Sequence, residues 1–181
     1  MNITLHRTTL LVCVLAGAVA LAIALVEAKD VSAAPSAALA GGATQISGVA
    51  FYADDARVHV TCDDPEGEGA DYVPLVMTGD LKEGCLYTFV ETAVSSPSGT
   101  YRETGTEIFV APDGSSTFRT TYRFEGKYED PADPATEIFG RCQHPIVEGS
   151  GTGIYEGVSG ILLFKDDVET GNFPYRGHLR Y

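Results

Sequence analysis

The chain has no helical signal past residue 43. No later stretch carries apolar residues at a 3.6-residue spacing for ten positions or more, which excludes helical bundles and alternating strand–helix folds. Basic residues are scarce: 12 Lys and Arg stand against 25 Asp and Glu, a net charge of −13. A surface of that sign repels nucleic acid and anionic membrane, so neither is an expected partner; its plainest role is solubility. There are four cysteines, and those at 62, 85 and 142 lie too far apart for the short spacings of zinc sites, so no metal is expected. There is no Gly-x-Ser-x-Gly, His-Glu-x-x-His, phosphate-binding glycine loop or Cys-x-x-Cys. No motif names a reaction, and none calls for a cofactor.

The single long hydrophobic run is N-terminal. A short segment with one arginine, Arg7, precedes an uncharged run over residues 10–26, and small-residue sites such as Val26-Glu27-Ala28 follow. This is the layout of a secretory signal peptide over residues 1–28, with an uncleaved membrane anchor as the alternative. Residues 29–43, rich in Ala, Ser, Gly and Pro, read as a tether. Residues 44–181 are long enough for one domain with its own core. A secreted or cell-envelope location favours a disulfide. Cys62 with Cys85 would close a local acidic loop, Cys85 with Cys142 would join distant strands, and the local pair is preferred.

What is present reads as strands. Apolar or alternating stretches at 45–52, 58–62, 72–77, 85–94, 101–110, 117–128, 137–147 and 175–181 are separated by turn signals such as Pro97-Ser98-Gly99 and Pro112-Asp113-Gly114. In the cleanest of them Phe118, Thr120, Tyr122 and Phe124 face one way and Arg119, Thr121, Arg123 and Glu125 the other. Short turns predict an antiparallel meander. About eight strands suit a closed barrel with room for side chains or one small ligand; a β-sandwich is the alternative.

Chemistry must then come from isolated residues. His144 and His178 sit in strand-like segments and are candidate acid, base or orienting groups if they point inward; otherwise they cap backbone carbonyls. Glu107 shares a face with Phe109 and is the candidate catalytic carboxylate; the plainer reading is an outward salt bridge. Arg123 and Arg141 are candidate partners for interior carboxylates or for ligand. Phe118, Tyr122 and Phe124, with Tyr87 and Phe89, form a candidate apolar pocket lining or a plain core. The acidic clusters at 63–71 and 166–169 lack the spacing of calcium loops and read as solvated.

The segment Gly149-Ser150-Gly151-Thr152-Gly153-Ile154-Tyr155-Glu156-Gly157-Val158-Ser159-Gly160 is neither linker nor phosphate loop: a strand follows it, and no Lys-Ser/Thr does. It reads as two short strands with tight turns under close backbone contact. With Tyr175-Arg176-Gly177-His178-Leu179 near the end, it resembles the glycine element of the allene oxide cyclase-like and dirigent-like barrels over about 35 residues. Gly149, Gly151, Gly153, Tyr155, Gly157 and Gly160 take that element's places. The resemblance implies an all-β, calycin-like barrel of eight antiparallel strands with an apolar cavity, in the manner of secreted bacterial members, and a trimeric homo-oligomer. Three functions are expected to compete: binding of a small apolar molecule, a cofactor-independent cyclase or isomerase, and a non-catalytic envelope scaffold.

Overall fold

Alternating β-branched and aromatic residues build eight strands in the computed structural model, which describes residues 42–63 and 69–181. The signal segment, and the tether up to residue 41, lie outside the described residues. In chain order the strands are β1 (Thr44–Tyr52), β2 (Leu75–Met77), β3 (Gly84–Ser95), β4 (Thr100–Val110), β5 (Thr117–Tyr128), β6 (Glu137–Pro145), β7 (Ser159–Lys165) and β8 (Phe173–Arg180). Each pairs antiparallel with the next. β8 returns to β1, with Thr44 opposite Leu179 and Ala50 opposite Phe173, and the barrel closes. Closure gives every strand a neighbour on both sides, which is the property a meander gains over an open sheet. It also sets aside the sandwich alternative.

The expected strand at 58–62 does not form. β1 already pairs with β2 and β8 on its two sides, so this stretch has no free edge to join. It belongs instead to the loop between β1 and β2, fixed to the barrel wall by a Cys62–Cys85 disulfide. Cys142 is left as a buried free thiol. The glycine segment also differs from expectation: it supplies one strand, β7, preceded by an irregular loop with a short 3₁₀ turn at Gly153–Tyr155.

That loop closes one end of the barrel. Thr152 donates its N–H to the Thr117 carbonyl at 2.8 Å. Ile154 donates its N–H to Ser116 Oγ at 3.2 Å. Tyr155 thereby enters the interior edge-on to Phe109 and Phe118, with ring centroids 5.7 and 5.1 Å away. Phe109 and Phe118 stack on each other at 4.7 Å and are fully buried, each side chain contributing roughly 1.5–3 kcal/mol of hydrophobic stabilisation. A Cβ on Gly151 would lie 1.9 Å from the Tyr155 carbonyl oxygen, so only glycine fits this approach. At the opposite end, the loops after β1, β3, β5 and β7 surround an open mouth.

Candidate functional site

β4 puts Glu103 and Glu107 on its interior face, four residues apart along the period-two alternation that also buries Phe109. Register places Glu107 opposite Thr88 on β3 and Thr120 on β5. Both threonines donate to its carboxylate, Thr88 at 3.2 Å and Thr120 at 2.6 Å. From β6, His144 brings Nδ1 to within 2.5 Å of Glu107 Oε2. Glu107 and His144 are 2% and 4% exposed. The imidazole lies against Phe164 and stacks over Tyr122, with centroids 4.4 and 6.1 Å apart. Its Nε2 is buried and has no hydrogen-bond partner.

Nearer the mouth, Glu103 accepts three phenols. Tyr122 reaches Oε1 at 2.5 Å, Tyr72 reaches Oε2 at 2.5 Å, and Tyr101 donates to the same Oε2. Glu103 itself is buried, and these charge-assisted bonds offset its desolvation. Burial first, and the neighbouring carboxylate second, push the Tyr72, Tyr101 and Tyr122 phenols up, so they remain protonated donors. At the rim the Glu137 and Asp166 carboxyls lie against each other. Burial, then the Asp166 contact, pushes Glu137 up to about 7; burial likewise raises Asp166. They sit over Gly140, where a Cβ would come within 2.1 Å of Asp166 Oδ2 and 2.4 Å of Glu137 Oε1.

These groups face one cavity of about 730 Å³ that opens at the mouth. Its walls are apolar and aromatic, with Leu75, Phe124, Tyr128, Phe164 and Phe173 among them. Cys142 also reaches this lining, its thiol pushed up by burial and then by Glu107. Such a thiol is a packing group rather than a nucleophile. Among the described residues no cluster of three or more His, Cys, Asp or Glu is placed to hold a metal ion.

The structure brings Glu107, His144, Tyr122 and Phe124 together in this cavity. Phe118 is interior but belongs to the packed plug. The remaining candidates are corrected by strand alternation. His178 lies on the outer face of β8, since Tyr175, Gly177 and Leu179 are the buried set. Arg123 and Arg141 are exposed on the outer wall, where Arg141 pairs with Glu125 at 2.8 Å. Tyr87 and Phe89 also fall on the outer face of β3, because Leu86 and Thr88 face Phe109 and Glu107. Tyr87 is nevertheless buried, since the loop after β1 covers it and its hydroxyl donates to the Asp63 carbonyl at 2.6 Å.

Sequence reasoning missed Glu103 as the centre of a tyrosine cluster, and missed the Glu137–Asp166 pair. Glu103 was findable: it shares the face of Glu107 and Phe109 by simple alternation. Tyr72 comes from a loop, and no periodicity announces where its hydroxyl lands.

The interior can bind an apolar skeleton, orient a polar head against carboxylates and phenols, and present an imidazole nitrogen set by a carboxylate. Set beside known proteins, the chain has no match among family models, curated proteins or solved structures.

Proposed function

We propose that this protein is a secreted β-barrel that binds a small, largely apolar molecule in its open-ended interior. One observation carries the reading: the barrel is plugged at one end by Tyr155 and its neighbours, yet holds a cavity of about 730 Å³ with aromatic walls at the other. Cavities of that size and lining are the usual form of small-molecule sites. The disulfide fits an oxidising, extracytoplasmic compartment, and no helix among the described residues is long and apolar enough to cross a membrane. Kinship with the allene oxide cyclase-like and dirigent-like barrels, and a trimeric assembly, belong to the same proposal; the closed eight-strand meander supports the kinship. A titration with the neutral apolar dye Nile red tests the binding. Saturable fluorescence enhancement that weakens when Leu75→Trp narrows the cavity is the expected result. Absence of saturable binding by the folded protein overturns it.

A cofactor-independent isomerase or cyclase is the second reading, and Glu107 with His144 is the observation that favours it. A carboxylate accepting from Nδ1–H leaves Nε2 of the neutral ring with its lone pair, the arrangement of a general base. Exchange of the γ-protons of an enone probe for deuterium in heavy water, followed by NMR, tests this. Exchange lost in His144→Gln supports the reading; equal rates with and without protein sink it.

A further inference from the structure

Resting on the binding reading, we infer that the ligand carries a hydrogen-bond-donating, positively charged head: an organic amine on an apolar skeleton. The argument is a count of donors and acceptors deep in the cavity. The hydroxyl hydrogens of Tyr72, Tyr101 and Tyr122 are all spent on Glu103. Those of Thr88 and Thr120 are spent on Glu107. His144 Nδ1 lies 2.5 Å from the same carboxylate. What these groups still offer is lone pairs, on phenol oxygens and unfilled carboxylate positions, beside the unpartnered, buried Nε2 of His144. A carboxylate or phosphate ligand would bring further acceptors to this inner group, whose hydroxyl donors are already committed. An alkylammonium brings three donors and no acceptor.

Charge points the same way. Glu103, Glu107, Glu137, Asp166 and Asp167 line the cavity, and none of its described lining residues is Lys or Arg. Among the described lining residues, His144 alone is able to become a cation. Of the arginines next to lining residues in sequence, Arg102 and Arg141 are engaged outside with Glu125, and Arg123 is exposed on the outer wall. Low-dielectric walls focus a field of one sign into the interior. Aromatic faces add attraction, because a ring quadrupole favours a cation over its face. Tyr101, Tyr122, Phe124 and Tyr128 supply such faces around the carboxylates.

The test is a matched series of probes on the intact protein: phenylbutylamine, phenylbutanol and phenylbutyrate, titrated by isothermal calorimetry near neutral pH. The amine should bind at least about tenfold more tightly than the alcohol, as charge-assisted hydrogen bonds imply. The acid should bind most weakly of the three. Glu103→Gln should weaken the amine by more than it weakens the alcohol, narrowing the amine's advantage. On the unaltered protein, nuclear Overhauser contacts should join the methylene beside the nitrogen to tyrosine ring protons, so the inference does not depend on that variant folding. Equal affinity for amine and alcohol, tight binding of the acid, or contacts only to the outer wall overturns the charged head and leaves apolar binding standing. No binding of any probe overturns both readings.

Discussion

Glu107 meets three polar groups at once at a buried position, so its removal orphans Thr88, Thr120 and His144 together. Glu107→Ala should lower the unfolding free energy by about 3–5 kcal/mol, the cost of breaking a buried charged network from one side. Arg141→Ala, which breaks an exposed pair, should change it by less than about 1 kcal/mol. Urea melts of the two variants decide the matter, and similar losses would contradict the buried network. Glu137 supplies a pH dependence. Its folded-state affinity for a proton is raised, to about 7, while the unfolded chain titrates in the ordinary carboxylate range. Between those limits the folded state binds more protons, so stability is fully present at the acidic end and is lost as pH rises through about 7. Asp166 shifts the same way and acts in the same sense. Asp55 and Asp113 are shifted down to about 2, so their contributions are lost only on strong acidification, well below this window. The melting temperature should therefore decline from about pH 5 to about pH 8, with a shallower slope in Glu137→Gln. A slope unchanged by that substitution would remove Glu137 as its source.

The loop between β6 and β7 and the strap between β1 and β2 are the two irregular elements that make a barrel into a container. In the first, glycines differ in kind. Gly151 has the Tyr155 carbonyl against it, whereas Gly157 has open space and a φ of 77°. Gly151→Ala should cost about 1–3 kcal/mol through overpacking and loosen the plug. Gly157→Ala should cost about 1–2 kcal/mol through backbone strain alone, and Gly157→Asn less, since asparagine tolerates the left-handed region. Thermal melts of the three variants give the order. In the strap, the Cys62–Cys85 bridge joins residues 23 apart. Replacing both cysteines with serine should cost about 3 kcal/mol by freeing the unfolded chain. Limited proteolysis should then cut within residues 53–74 before the strands, as Tyr87 loses its cover.

At the scale of the whole molecule, β5 was readable directly: its alternation sorts Phe118 and Tyr122 from Arg119 and Arg123, and the barrel keeps that division. The same rule, applied strictly to β6 and β8, would have placed Arg141 and His178 outside. Offering Arg123, Arg141 and His178 as interior candidates weighed residue chemistry ahead of strand face. Other features needed the third dimension. Tyr72 reaches Glu103 across 31 positions, and Glu137 meets Asp166 only because β6 pairs with β7. Local sequence carries strand faces well. It does not carry which loop folds over which mouth.

Strand direction settles one practical matter. β1 enters at Thr44 opposite Leu179, and Arg180 leaves opposite Ser159, so both ends of the barrel chain emerge beside the glycine plug. A sensor chip, bead or fusion partner attached at residue 44 or at Tyr181 would therefore hold the protein by its sealed base, leaving the cavity facing outward and free to exchange its contents.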